Sequence, residues 1–241
     1  MFLRLIYLIL VIAVAACVEG GGGIIQGSGN IVTQERKVAQ FSKVVLTGVG
    51  TIVLTQEDRD ILSVETDDNL TQYIKTDVDK GVLTIEVQKN ASLSPSKEII
   101  YHISVKNITG IDVSGAGTIN SSNQLISKDF VITLSGAGNV NIDATVRKLT
   151  LHLAGSGDII LNGNADDQSI DISGSGTYKG YNFVTKFTEI VINGVGNAEI
   201  NAKDSLEVDI SGVGSVTYMG DPVIHQTITG VGAVRKAEAK K

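Results

Sequence analysis

Residues 170–178 read Ile170-Asp171-Ile172-Ser173-Gly174-Ser175-Gly176-Thr177-Tyr178. The phrase is aliphatic, spacer, aliphatic, small residue, Gly-x-Gly, spacer, apolar. It recurs seven times between Ile111 and Gly232, with first glycines at Gly115, Gly136, Gly155, Gly174, Gly194, Gly212 and Gly230, in steps of 21, 19, 19, 20, 18 and 18 residues. The second glycines are Gly117, Gly138, Gly157, Gly176, Gly196, Gly214 and Gly232. Self-similarity at a fixed period of this size marks a repeat architecture and outranks any local motif.

Aligned on the first glycine, the position two before it holds Val113, Leu134, Leu153, Ile172, Ile192, Ile210 and Ile228. Four before it stand Ile111, Ile132, Leu151, Ile170, Ile190, Val208 and Gln226, with mostly polar residues between. Each copy therefore reads as a half-buried strand, a tight corner and a second half-buried strand. So short a unit cannot bury its apolar face alone, whereas stacked coils turn each aliphatic position into an interior column. Coils lie about 4.8 Å apart, so seven of them make a rod of roughly 30 Å. The expected fold is all-β, a parallel β-helix (β-solenoid) with an N-terminal β-hairpin region. An antiparallel β-sandwich or barrel is the alternative. The corners call for glycine through positive φ or close backbone approach. The residues between the glycines, from Ala116 to Val231, are expected to stack into a ladder of their own.

Outside the repeats the chain divides into four parts. Residues 1–16 read as a signal segment, with Arg4 ahead of an apolar run from Leu5 to Ala15 that is short for a membrane span. Val14-Ala15-Ala16-Cys17 resembles the lipobox of bacterial lipoproteins, which implies cleavage before Cys17 and its lipidation. An ordinary signal peptide with a chance cysteine and an uncleaved anchor are the alternatives. Residues 17–29, with glycines at 20–23, read as a lipid-anchored tether. Residues 30–236 form one domain, irregular over 30–107 and regular over 108–236. The irregular part holds an early copy of the corner, Gly48-Val49-Gly50. It also holds a hairpin in which Tyr73–Val78 and Val82–Val87 flank Asp79-Lys80-Gly81.

Composition narrows the function. With 27 glycines, 2 prolines and no Trp, the core must be built from Ile, Val and Leu. One cysteine permits no internal disulfide. A net charge of −6, without a basic cluster in the repeats, excludes a nucleic-acid surface. Gly-x-Gly here precedes a strand and not a helix, so it is a structural corner and not a dinucleotide cradle. The position after each second glycine holds Thr51, Thr118, Asn139, Asp158, Thr177, Asn197, Ser215 and Ala233, with a single acid, so no metal site is expected there. Asp112, Asp171 and Asp209 share a column with Thr133, His152, Val191 and Thr227, which reads as a solvated strand face. His102, His152 and His225 fall in different coils. Tyr178, Tyr181, Phe183 and Phe187 form the densest aromatic patch, either the filling of a widened coil or a sugar-stacking platform.

The chain resembles the head GIN domain family of bacteria, also known as auto-transporter adhesin domains. The resemblance rests on Gly27-Ser28-Gly29-Asn30, on Phe41 to Gln56 with Leu46-Thr47-Gly48-Val49-Gly50, and on the Thr66–Asn69 bend. Ser92–Pro95 and the recurrent Ser-Gly-Ala-Gly and Ser-Gly-Val-Gly phrases complete it. It covers about residues 27–236 and implies a right-handed parallel β-helix on an exported or lipid-anchored protein, with no catalytic residues to map.

The function expected is a non-enzymatic envelope or cell-surface lipoprotein, an adhesin or interaction module without cofactor. Its partners are the membrane through Cys17 and a glycan or protein of unknown identity. Val18 after Cys17 favours outer-membrane sorting, by analogy with Gram-negative bacteria. A carbohydrate-active β-helix enzyme is the alternative, and an envelope-stress accessory protein a third. Binding is expected on the hairpin and loop over 67–98, on the coil from Tyr178 to Phe187, or on the polar strand faces.

Overall fold

The computed structural model describes residues 23–238. The signal segment 1–16, Cys17, the first part of the tether, Lys240 and Lys241 lie outside the described residues. The first strands are β1 (Ile24–Gln26), β2 (Ile31–Arg36), β3 (Lys43–Leu46), β4 (Val49–Gln56) and β5 (Ile61–Asp67), followed by a 3-10 turn, Thr71–Tyr73. Then come β6 (Ile74–Asp79), β7 (Val82–Val87), β8 (Ser92–Ser94), β9 (Ile100–Val105), β10 (Gly110–Val113) and β11 (Ala116–Ser121). The regular part is β12 (Leu125–Leu134), β13 (Ala137–Leu153), β14 (Ser156–Ile172), β15 (Ser175–Ile192), β16 (Val195–Ile210), β17 (Val213–Met219), β18 (Val223–Ile228) and β19 (Val231–Lys236).

From β10 onward the pairings are parallel, which makes the fold a β-solenoid and excludes the sandwich. The residues between the corner glycines stack in register: Val49, Ala116, Ala137, Ser156, Ser175, Val195, Val213 and Val231. Inside, Ile132, Leu151, Ile170, Ile190 and Val208 form one buried column, and Leu134, Leu153, Ile172, Ile192 and Ile210 another. Burying such side chains stabilises the stack by roughly 1.5–3 kcal/mol each, before conformational entropy is subtracted.

The coils differ from the expected pair of short strands. Strands β13 to β16 run unbroken for 16 to 18 residues, from one glycine corner to the next. A second corner lies within each strand, where the alternation of inward and outward residues slips. Consecutive residues there both point outward: Lys128-Asp129, Arg147-Lys148 and Lys186-Phe187 are exposed pairs. At each slip the ladder skips one residue, leaving Arg147, Asp166 and Lys186 without register partners, and resumes on the far side.

The N-terminal part inverts chain order. The hairpin of β6 and β7 forms as expected, its turn made by Lys80 and Gly81, both with positive φ. β7 then pairs parallel with β3, and β9 with β4. The layer β3–β4 therefore sits between β7–β9, which comes later in the chain, and β10–β11. β5 runs antiparallel on β9, and β2 antiparallel on β5, which covers the starting end of the stack. Within the segment read as the tether, Ile24–Gln26 forms a short strand paired parallel with Ser92–Ser94.

Candidate functional site

At each corner the backbone is satisfied by the coil beneath. Ser114 and Gly115 both donate their N–H to the Leu46 carbonyl, and Ala116 donates to that of Gly48. The pattern repeats up the stack, for example with Ser173 and Gly174 on Leu153 and Ser175 on Gly155. A Cβ on Gly115 would stand 1.9 Å from the Gly48 oxygen, and one on Gly174 would stand 2.1 Å from that of Gly155. Close approach is thus the reason for glycine. Positive φ is confined to Gly50 and Gly157 among the sixteen corner glycines. These positions hold the coils together and have no side chain with which to do chemistry.

A second cluster gathers three segments far apart in sequence. Asp67 is fully buried at the end of β5. Its carboxylate accepts from the Ser96 hydroxyl at 2.6 Å, the Ser96 N–H at 2.9 Å and the Gly29 N–H at 2.7 Å. The Ser96 hydroxyl, helped by these backbone donors, holds the Asp67 carboxyl below its ordinary pKa. Gly27 passes so close that a Cβ there would meet Asp67 Oδ2 at 2.3 Å. Asp68 accepts from Ser28 Oγ at 2.5 Å and Asn30 Nδ2 at 2.9 Å, and these bonds, Ser28 first, lower its pKa too. Asn69 accepts from the Ser28 N–H and donates to the Gln26 carbonyl, each over less than 3 Å. The motifs Gly27–Asn30, Thr66–Asn69 and Ser92–Pro95 thus converge on a knot that clamps the incoming chain to the covered end of the solenoid.

The third place is an open groove of about 550 Å³ over the second corner of β13 to β16. Its rim carries Phe187, 50% exposed, with Arg147, Lys148, Asp167, Glu189 and Glu207. Gln168 and Thr188 also line it, and both are buried. They occupy a column that holds Leu149 on one side and Leu206 on the other, so two polar side chains replace aliphatic ones in adjacent coils. Each substitution forfeits apolar burial worth roughly 1.5–3 kcal/mol. The polar atoms are paired: Gln168 Nε2 donates to the buried Tyr178 hydroxyl at 2.5 Å, and Thr188 Oγ1 lies 2.6 Å from Thr185 Oγ1. Burial pushes the Tyr178 hydroxyl pKa well up, which keeps it neutral.

The four aromatics do not share one surface. Tyr178 and Phe183 are buried, Tyr181 donates to Thr217 Oγ1 at 2.7 Å, and Phe187 alone presents a half-exposed ring. β15 is the widened coil. Ser175 to Phe187 spans one residue more than Ser156 to Asp167 and two more than Val195 to Ser205, between the same register points. The groove meets the coil from Tyr178 to Phe187, one of the expected binding places, at Phe187 and extends from there over the neighbouring coils. Its trace in the sequence is the doublet series Lys128-Asp129, Arg147-Lys148, Asp166-Asp167, Lys186-Phe187 and Lys203-Asp204, charged throughout except at Phe187.

Other candidates disperse. Asp112, Thr133, His152, Asp171, Val191, Asp209 and Thr227 form one in-register outward column in which no two acids are adjacent. His102 bonds Glu65 at 3.1 Å, His152 approaches Asp171 at 4.0 Å, and His225 lies in β18. Asp158, the one acid after a corner, is held by Lys179 at 2.6 Å.

The architecture is that of a parallel β-solenoid closed at its N-terminal end by antiparallel strands. The family model described as "Putative auto-transporter adhesin, head GIN domain" matches residues 40–222, and the chain belongs to that family. A "putative adhesin" from Bacteroides fragilis is similar at 29% identity, over 88% of this chain and 100% of that one, with a TM-score of 0.84. A "putative lipid binding protein" from Parabacteroides distasonis shares 25% identity over 90% of this chain and 100% of its own, with a TM-score of 0.75. An adhesin-named structure from Parabacteroides merdae, at 23% identity over 89% and 99% of the two chains and a TM-score of 0.67, shows the fold alone. A search of curated proteins returns no match.

Proposed function

We propose that the protein is a non-enzymatic adhesion module of the cell envelope, carried on a lipid anchor at Cys17 in the outer membrane, that binds a polymer or protein partner along its strand faces. Membership of an adhesin family supports a surface or envelope role. The observation that carries the reading is the in-register repetition of outward residues. Thr118, Asn139, Asp158, Thr177, Asn197 and Ser215 form one polar ladder beside the glycine corners. Repetition at the coil spacing offers an extended partner the same contact many times over, as solenoid binders do. The knot at Asp67 supports the anchoring half, because it ties the segment next to the tether firmly to the domain. The test is metabolic acyl labelling of wild type and Cys17→Ser, followed by cross-linking in the native cell. Labelled wild type, unlabelled variant and a captured envelope or surface partner are expected. Absence of label, or capture of nothing, overturns the corresponding half.

A second reading has one observation in its favour. Glu189 and Glu207 are register partners in adjacent coils at the groove, which provides the pair of carboxylates a polysaccharide-processing enzyme needs. Both are exposed and stand side by side on one strand face, so they do not confront each other across a cleft. Release of new reducing ends from polysaccharide by wild type, lost in Glu189→Gln and Glu207→Gln, would favour this reading.

A further inference from the structure

Three irregularities coincide at the second corner of β14 and β15. The outward column Asp129, Lys148, Asp167, Phe187, Ser205 is polar at every other step, yet exposes half a phenyl ring at Phe187. The inward column beside it turns polar at Gln168 and Thr188, between Leu149 and Leu206. The register of β15 on β16 also shifts at this corner, where Thr185 to Phe187 faces the longer segment Ala202 to Ser205, while the extra residues of β15 itself lie upstream, between Lys179 and Val184. A solenoid built for stability alone would continue the aliphatic column, keep the charged doublet and hold the period. Departures from local consistency cluster where a protein serves function and not folding.

The chemistry of the groove selects among ligands. One exposed ring offers a face for stacking, too small for an acyl chain that must be buried on all sides. Around it stand cations, Arg147 and Lys148, and anions, Asp167, Glu189 and Glu207. Arg147 is partly neutralised by Asp129 and Asp167. Such a rim gives no strong field of one sign, so it does not select a polyanion or polycation. It offers both donors and acceptors to hydroxyl groups, next to a surface on which the C–H face of a pyranose ring can lie. The groove is open along the stack, which suits a chain running across it.

We infer that this groove is a saccharide-binding site, with Phe187 as the stacking residue and Lys148, Glu189 and Glu207 as hydroxyl partners. Gln168 and Thr188, held by Tyr178 and Thr185, form its polar floor. The inference rests on the adhesion-module reading and names its ligand class and its place. The Ser-Gly and Val-Gly corners are not part of it.

The test is binding of the purified full chain to an array of immobilised neutral and acidic oligosaccharides, with hits titrated calorimetrically. Retention of neutral oligosaccharides is expected, with a loss of at least tenfold in affinity in Phe187→Ala and an unchanged melting temperature. Ile126→Ala, which removes a still more exposed apolar side chain on another coil, is expected to bind as wild type. Phe187→Ala binding within twofold of wild type overturns the site. Capture of an envelope protein with no saccharide retained overturns the ligand class and leaves the adhesion reading standing. If neither saccharide nor any envelope or surface component is bound, both fall.

Discussion

The carbonyl oxygen of Gly155 lies 2.1 Å from the place a Cβ on Gly174 would occupy. The side-chain direction at this corner runs along the axis of the stack, into the backbone of the coil below. Gly174→Val, and even Gly174→Ala, must therefore separate two coils. We predict a loss of about 4 kcal/mol or more, at the top of the range for single substitutions. Gly81→Ala is the comparison, since Gly81 has φ +78° and nothing within 4 Å of its Cβ position. It should cost only about 1–2 kcal/mol, from backbone strain. Thermal or denaturant unfolding of the two variants separates crowding from conformation.

Asp67 makes the N-terminal knot sensitive to acid. Its folded pKa lies below the unfolded value of about 3.9, so its contribution is fully present above that value and is lost as pH falls through the folded pKa. Asp68 acts in the same sense. Hydrogen exchange at the Gly29 and Ser96 amides, both bonded to Asp67, should accelerate by on the order of tenfold in Asp67→Asn relative to wild type at neutral pH. Exchange at Ala137, whose amide bonds the Gly115 carbonyl in the solenoid body, should not change.

The buried polar group at β14–β15 should behave as one unit. Gln168→Leu leaves the Tyr178 hydroxyl without its partner inside the core and should cost about 1–3 kcal/mol. Adding Tyr178→Phe removes the orphaned hydroxyl. The double variant should be more stable than the sum of the two single changes by roughly 1 kcal/mol, read from a double-mutant cycle.

Stability should reside in the aliphatic columns and little in the charged corner. Leu151→Ala, in a fully buried column, should cost about 2–5 kcal/mol. Arg147→Ala, which loses partly exposed ion pairs to Asp129 and Asp167, should cost less than about 1 kcal/mol, and high salt should diminish even that.

The regular coils were legible because one residue type at one position answers one need. The columns through Leu153 and Gly155 repeat in sequence as they do in space. The Lys80-Gly81 hairpin was equally readable, since its pairing is local. The second corner was written in the doublets from Lys128-Asp129 onward. Such doublets look like ordinary surface charge in a sequence, because a slip in alternation within a continuous strand has no turn residue to announce it. The Asp67 knot was beyond reach, since Gly29, Asp67 and Ser96 meet only once β2, β5 and β8 are placed. For the same reason, the polar Gln168 and Thr188 could be seen as neighbours only after the register of β14 on β15 was known.

The inverted layering of the N-terminal part bears on how the chain comes to be folded. A ribosome delivers β3 and β4 first, yet both neighbours of that layer arrive afterwards: β7 and β9 on one side, β10 and β11 on the other. Until Val105 has emerged, residues 43–56 have two open edges, and one stays open until Ser121 follows, so their apolar row of Val44, Leu46, Ile52 and Leu54 has no finished stack to enter. Unpaired edges of this kind invite pairing with other chains. The chain therefore cannot zip up vectorially from its beginning. Assembly has to wait for a later segment to supply the surfaces between which its earliest coil is slotted.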